Sequence, residues 1–148
     1  PDIALSGDFI VGFPGETEAE FQETLNIVDE VRYAACFSFK YSPRPGTPAA
    51  TMEGQIAPEI MDERLQRLQR RIGVHQYAFN QASVGKTCEV LVERNGRHPG
   101  QWLGKSPWLQ SVHFEGDHAI GDLIEVTLVE AGPNSLRGEA VYLPSTSV

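Results

Sequence analysis

The sequence predicts an α/β segment followed by a small all-β segment. A β-strand pattern, a helical pattern and a second β-strand pattern follow one another within about forty residues, the length of a βαβ unit. A long helical pattern comes next, and from Val84 onward short β-rich runs alternate with Gly- and Asn-containing turns. We therefore expect parallel strands in the first half and a small closed barrel in the second.

The first strand pattern ends in a glycine-rich turn, Gly12–Glu16, directly before a predicted helix. Thr17 and Glu20 fit a capping box, in which the Thr hydroxyl and the Glu carboxylate satisfy early helical N–H groups. Apolar residues at helical spacing give this helix one inward face: Phe21, Leu25 and Val28. Ligands of βαβ units bind at the carboxyl ends of the strands, so this turn and the loop at 41–47 form the predicted ligand site.

Two interpretations stay open for each polar residue of that site. Glu16 either accepts a hydrogen bond from a ribose or an amine beside the glycines, or only complements the helix dipole. Arg44, in a Pro-Arg-Pro-Gly loop, either binds a carboxylate or phosphate or is an ordinary surface arginine. The alternating Phe37, Phe39 and Tyr41 are predicted as core rather than as an aromatic platform.

The second helical pattern begins at Pro58, which suits the first position of a helix, and is predicted to end before Val84. Its apolar stripe recurs at four, three and four residues, and packs inward: Met61, Leu65, Leu68 and Ile72. The arginines around the stripe are predicted as a solvated face rather than as an RNA contact: Arg64, Arg67, Arg70 and Arg71.

The second half contains five β-rich runs separated by turn signals, at 86–94, 102–105, 111–115, 122–130 and 135–143. Runs of this length and spacing favour a small β-barrel. Basic and aromatic side chains interleave near the first two runs: Arg94, Arg97, Trp102, Lys105 and Trp108. Such a face suits phosphates and an unstacked base, whereas either tryptophan, Trp102 in particular, is also a candidate core residue.

Composition limits the function classes. The 148 residues carry a net charge of −8, which argues against a generally nucleic-acid-binding surface and leaves only a local basic patch. No apolar run is long enough for a membrane span, and Cys36 and Cys88 lie on strand patterns as expected of buried thiols, so a cytoplasmic protein is predicted. The residues alone predict no catalytic group and no metal ligand. Pro1 is not a natural start, so we expect a piece of a longer protein.

Several motifs resemble the radical-SAM methylthiotransferases, in the order that family has them. DFIVGFPGETEAEF (8–21), FSFKYSPRPGTPA (37–49) and ERLQRLQ (63–69) resemble the last part of their radical-SAM domain. VGKTCEVLVE (84–93), GDLIEV (121–126) and PNSLRG (133–138) resemble the TRAM domain that follows it. KYSPR (40–44) and PNSLRG are more similar to the tRNA-modifying, MiaB-type branch than to its ribosomal-protein relative.

The resemblance implies a parent enzyme that adds a methylthio group to N6-isopentenyladenosine beside the tRNA anticodon. It implies S-adenosylmethionine (SAM) and two [4Fe–4S] clusters as cofactors, and the tRNA anticodon stem-loop as partner. The family's late barrel strands line the SAM pocket, which makes six residues candidate SAM neighbours: Gly12, Phe13, Glu16, Phe39, Tyr41 and Arg44. The TRAM domain binds RNA in this family, which makes five residues candidate RNA contacts: Lys86, Arg94, Arg97, Lys105 and Arg137.

The resemblance also implies a division of the chain. Residues 1–58 are expected to be the C-terminal βαβ part of a radical-SAM (TIM-like) barrel, 59–83 a linker helix, 84–144 a five-stranded OB-like TRAM barrel and 145–148 a tail. The cluster cysteines would lie outside this chain, so the chain alone is expected to be inactive. Two alternatives stay open: a ribosomal-protein aspartate methylthiotransferase, and a non-catalytic RNA-binding adaptor. A truncated barrel exposes strand edges and an apolar face, so we expect oligomers, exchange of elements between copies, or loose packing of the residues before Pro58.

Overall fold

A computed structural model describes residues 3–142, which fall into two compact units, one ending at Gln76 and the other beginning at Tyr77. The first contains β1 (Ser6–Val11), α1 (Glu18–Val31), β2 (Ala35–Lys40), a 3₁₀ turn (Pro48–Thr51) and most of α2 (Pro58–Ser83). The second contains the end of α2 and then β3 (Thr87–Asn95), β4 (Gln101–Lys105), β5 (Ser111–Glu115), β6 (Leu123–Ala131) and β7 (Leu136–Ala140). The predicted tail at 145–148 lies outside the described residues.

In the first unit, β1 and β2 pair in parallel, from Ser6 opposite Ala35 to Val11 opposite Lys40. Thr17 caps α1 as its sequence predicts, because the Glu20 backbone N–H donates to Thr17 Oγ1 at 3.1 Å. The inward face of α1 packs with Val11 and with the α2 stripe, and these side chains form one buried core: Val11, Phe21, Leu25, Val28, Leu68 and Ile72.

Ion pairs join α1 to α2 on the outside of this core. Arg67 lies 2.8 Å from Glu18 and 2.6 Å from Glu63, and Asp29 contacts both Arg71 and His75. The hydrogen bond from His75 and the nearby charge of Arg71 hold the pKa of Asp29 below its usual value. The prediction of a solvated arginine face is wrong at one position: Arg64 is 6% exposed, because it turns under the α1 N-terminus.

The face of the β1–β2 pair opposite its packed side is open to solvent. Ile10 is 60% exposed, Phe37 66% and Phe39 54%. These two phenylalanines are therefore not core residues, contrary to the prediction from their alternation. The helices α1 and α2 cover only one side of the two-stranded sheet, and an alternating pattern alone does not say which side has a neighbour.

In the second unit, the strands close into a barrel in the order β3-β4-β5-β7-β6. Each of the five predicted β-rich runs overlaps one of these strands. All neighbouring pairs are antiparallel except β5–β7, which is parallel. The core consists of side chains at alternating positions: Cys88, Val90, Val92, Val112, Phe114, Val126, Leu128 and Leu136. Trp102 packs against this core while its indole N–H donates to the Gly116 carbonyl at 2.8 Å.

A buried amide ties the end of α2 to the β4–β5 loop. Gln110 Nε2 donates to Asn80 Oδ1 and to Ser83 Oγ, each at 3.0 Å. Its Oε1 accepts from Ser106 Oγ at 2.9 Å. All four residues are at most 7% exposed, so the network replaces hydration that these groups lose on folding. Among residues 3–142, no helix is both long and apolar enough to cross a bilayer.

Candidate functional site

The turn after β1 is closed by contacts within the protein. The Gly12 backbone N–H donates to Glu16 Oε1 at 3.0 Å, and Arg64 Nη1 donates to the same oxygen at 2.8 Å and to the Glu16 carbonyl at 3.0 Å. The Arg64 and Glu16 side chains are 7% and 12% exposed. The Glu16 carboxylate therefore stabilises the turn, and its acceptor capacity toward a ligand is reduced.

Gly12 faces a side chain rather than open space. Its φ of 80° is in the left-handed region that favours glycine, and a Cβ built there would lie 2.3 Å from Met61 Cγ. Gly12 is thus required by the backbone conformation and by packing against α2. Of the six candidate SAM neighbours, Gly12 and Glu16 have structural roles in this turn.

The other four candidates lie at the carboxyl ends of β1 and β2. Phe13 and Tyr41 form an edge-to-face pair with ring centroids 5.4 Å apart, and Phe39 and Arg44 are exposed. The Tyr41 hydroxyl is buried and has no hydrogen-bond partner within residues 3–142. Since an unsatisfied buried hydroxyl costs about 1–3 kcal/mol, this position suits a hydrogen bond from another molecule. The structure thus brings together an aromatic pair and an orphan hydroxyl at the predicted ligand end of the strands.

The candidate RNA contacts of the barrel differ in their positions and in their partners. Lys86 precedes β3, and its ammonium lies 5.1 Å from the centre of the Trp108 ring in the β4–β5 loop. Lys105, at the end of β4, donates to Ser111 Oγ at 2.8 Å. Arg94 is eight residues beyond Lys86, which in an extended strand is roughly 26 Å. Lys86 and Arg94 therefore lie far apart along β3, whereas Lys105 lies on β4 two residues from Leu103, the partner of Arg94.

Three of the candidates are arginines: Arg94, Arg97 and Arg137. Arg94 and Arg97 are exposed, and within residues 3–142 neither forms an ion pair. Arg137 pairs with Glu130 at 3.2 Å and with Glu139 at 3.4 Å, and these carboxylates raise its pKa. Because its charge is already compensated, Arg137 is a weaker candidate for a phosphate contact than the other two arginines.

The sequence analysis did not identify three polar residues near these arginines as candidate site residues. His98, Gln101 and His113 line a cleft together with Arg94 and Arg97. Their alignment depends on strand register, which single residues in the sequence do not reveal. The contact between Arg64 and Glu16 was not predicted either, because the two residues are 48 positions apart in the sequence. Within residues 3–142, no three His, Cys, Asp or Glu side chains lie together as a metal site requires.

Comparisons with known proteins identify a domain family for the barrel and relatives of the whole chain. Residues 81–141 match the family model of the TRAM domain. The chain is 77% identical over 139 residues to the tRNA-2-methylthio-N(6)-dimethylallyladenosine synthase of Erythrobacter litoralis, and 62% identical over 139 residues to that of Zymomonas mobilis. In both cases the match covers 94% of the chain and 31% of the relative. The chain therefore contains a TRAM domain and, over 94% of its length, is similar to a part of these tRNA-2-methylthio-N(6)-dimethylallyladenosine synthases, of whose length it spans 31%.

Proposed function

We propose that this chain is the C-terminal, RNA-engaging part of a radical-SAM tRNA methylthiotransferase. The parent enzyme adds a 2-methylthio group to N6-isopentenyladenosine next to the anticodon, and works in the cytoplasm. The observation that carries the proposal is the 77% identity over nearly the whole chain to a synthase whose name states this modified nucleoside. The TRAM match over 81–141 supports the same assignment for the barrel.

The barrel is the proposed tRNA-binding element, and the anticodon stem-loop is its proposed partner. Its five candidate contacts are the exposed or half-exposed cations of the second unit: Lys86, Arg94, Arg97, Lys105 and Arg137. Residues 77–142 carry five Lys and Arg against eight Asp and Glu, so their net charge is negative. Attraction of RNA must therefore come from the local arrangement of these cations. Phosphate contacts by lysine and arginine would make binding weaken with salt concentration.

The cofactors proposed for the parent are SAM and two [4Fe–4S] clusters, which would supply radical chemistry and sulfur transfer. The chain has only two cysteines, Cys36 and Cys88, whereas a [4Fe–4S] cluster needs three or four thiolate ligands. These residues do not fit a cluster, so the clusters belong to the remainder of the parent and the chain alone is inactive. Phe13, Phe39, Tyr41 and Arg44 fit one wall of a SAM pocket, since aromatic surface and an unsatisfied hydroxyl meet there.

A chimera tests the proposal. The corresponding part of the Zymomonas mobilis synthase is replaced by this chain, and the chimera is expressed in a bacterial strain that lacks its own enzyme. We expect mass spectrometry of tRNA nucleosides to show restored 2-methylthio modification, while the chain expressed alone restores none. Restored modification of a ribosomal protein instead, or of neither substrate by a chimera that folds and carries its clusters, would contradict the proposal.

A further inference from the structure

A β-bulge turns Arg94 to the outside of the barrel. Val90 and Val92 point inward and are at most 1% exposed, so strict alternation would also turn residue 94 inward. The register between β3 and β4 shifts between Val92, opposite Gly104, and Arg94, opposite Leu103. Bulges commonly re-aim a side chain in this way. The arginine therefore reaches the outer surface.

On that outer surface, Arg94 begins a row of residues that are paired across the strands. Leu103 on β4 pairs with His113 on β5, and His113 pairs with Arg137 on β7. Arg137 in turn pairs with Glu130 on β6. Because neighbouring strands lie roughly 4.8 Å apart, the row extends about 14 Å from Arg94 to Arg137. We call the Arg94 end the cationic end, because Arg94 forms no ion pair among the described residues. At the other end, the charge of Arg137 is compensated by Glu130 and Glu139.

The β3–β4 loop adds two further side chains to the cationic end. The Arg97 backbone N–H donates to Gln101 Oε1 at 2.7 Å, and the Gly96 N–H donates to the Gln101 carbonyl at 2.6 Å. The Gln101 N–H in turn donates to the His98 carbonyl at 3.0 Å. Gln101 therefore braces the loop that carries Arg97 and His98. Its side chain has no carboxylate to compete with the arginines.

These residues line a cleft of about 560 Å³, together with Arg94, His113 and Ser135. Among the described residues, the side chains that line it include no carboxylate. The adjoining cleft shares His98 and His113 but is also lined by Glu115 and Glu139. Arginine, imidazole and hydroxyl groups without a competing carboxylate suit an anion that accepts several hydrogen bonds.

We propose that this cleft is the phosphate-binding subsite of the barrel, and that its occupant is the sugar–phosphate backbone of an RNA. Arg94 and Arg97 supply the charge, and His98, His113 and Ser135 supply hydrogen bonds. Arg137, held by Glu130 and Glu139, marks the edge of the subsite. This inference rests on the proposed function, because it names where the RNA of that function is held.

The test measures binding of an unmodified tRNA to the full chain by fluorescence anisotropy, between 50 and 200 mM salt. We expect the double variant Arg94→Ala, Arg97→Ala to bind about tenfold more weakly, and the slope of log K against log salt to decrease in magnitude by roughly 1.4 to 1.8. The matched control, Arg70→Ala with Arg32→Asn, loses the same two charges from exposed positions of the first unit and should bind within twofold of the original chain.

A second comparison locates the subsite. The variant Lys86→Ala removes a charge eight residues from Arg94 along the chain, and we expect a smaller loss than in either single variant, Arg94→Ala or Arg97→Ala. An equal or larger loss, or an unchanged salt slope in the arginine variant, overturns the subsite while leaving tRNA binding by the barrel intact. Failure of the original chain to bind tRNA contradicts the RNA-engaging role itself. Tryptophan fluorescence confirms that each barrel variant is folded.

Discussion

Replacing Glu16 by alanine tests whether this carboxylate holds the turn after β1. The substitution removes the acceptor of the Gly12 N–H and leaves the Arg64 guanidinium, only 7% exposed, without its main partner. Removing one partner of a buried ion pair typically lowers the free energy of unfolding by about 3–5 kcal/mol. Glu18 lies 3.6 Å from Arg64 Nε and compensates in part, so we expect a loss of about 3 kcal/mol in the first unit.

Hydrogen exchange of the full chain measures this loss. A change of about 3 kcal/mol corresponds to roughly a hundredfold decrease in amide protection for β1, α1 and β2. Both tryptophans, Trp102 and Trp108, lie in the barrel, so urea unfolding followed by tryptophan fluorescence serves as a reference for the second unit. We expect the fluorescence midpoint to stay unchanged.

Two further variants identify the cause. Glu16→Gln keeps an acceptor for the Gly12 N–H and removes the charge, so its loss should lie between those of the original chain and Glu16→Ala. In a double-mutant cycle with Arg64→Met, we expect a coupling energy above about 1 kcal/mol, as for contacting charged residues. Protection within threefold of the original chain in Glu16→Ala would refute the structural role and return Glu16 to the candidate ligand residues.

Three other predictions follow from the structure. Gln110→Ala leaves buried polar partners unsatisfied, so the free energy of unfolding of the barrel should fall by about 2–3 kcal/mol. Urea unfolding monitored by tryptophan fluorescence measures this change, and an unchanged midpoint would contradict the role of the network. Hydrogen bonding to Arg67 lowers the pKa of Glu18 to about 2. The stability from this pair is therefore present above about pH 4.5 and is lost as the pH falls toward 2. In Arg67→Gln, the free energy of unfolding, measured by circular dichroism, should depend less on pH over that range. The exposed face with Ile10 and Phe39 should make the chain associate at high concentration, which light scattering detects and Phe39→Asp should reduce; a monomer for the original chain at all concentrations would contradict this prediction.

Local patterns in the sequence were sufficient for the elements, because the residues that define each element are neighbours in the chain. Thr17 and Glu20 identify the start of α1, and alternation in β3, β5 and β6 identifies the barrel core. Pairings between distant segments were not predictable. The Arg64–Glu16 contact joins residues 48 apart, and the Arg94 orientation depends on a bulge that only the pairing with β4 reveals.

The candidate site was predictable to a similar extent. The sequence identified the turns at the carboxyl ends of β1 and β2 and the basic residues near β3 and β4, since glycine-rich turns and clustered cations are local signals. It did not separate Arg94 from Arg137, because Glu130, one of the two carboxylates that pair with Arg137, lies on the neighbouring strand β6. Whether a charge is available to a ligand depends on such cross-strand neighbours as well as on neighbours in the same strand. The assignments of SAM and RNA contacts remain predictions.

The parallel β5–β7 pair has a consequence for how the barrel is made. Val112 finds its partner Leu136 only after β6 has been synthesised, and β7 also supplies the second edge of β6. Until β7, a strand of five residues, leaves the ribosome, the other four strands form an open sheet whose two edges, β5 and β6, are unpaired. During that interval the barrel is open, and its closure requires slow pairing between segments that are distant in the sequence. The pairing of β7 with β5 and β6 is therefore the folding step most exposed to misfolding.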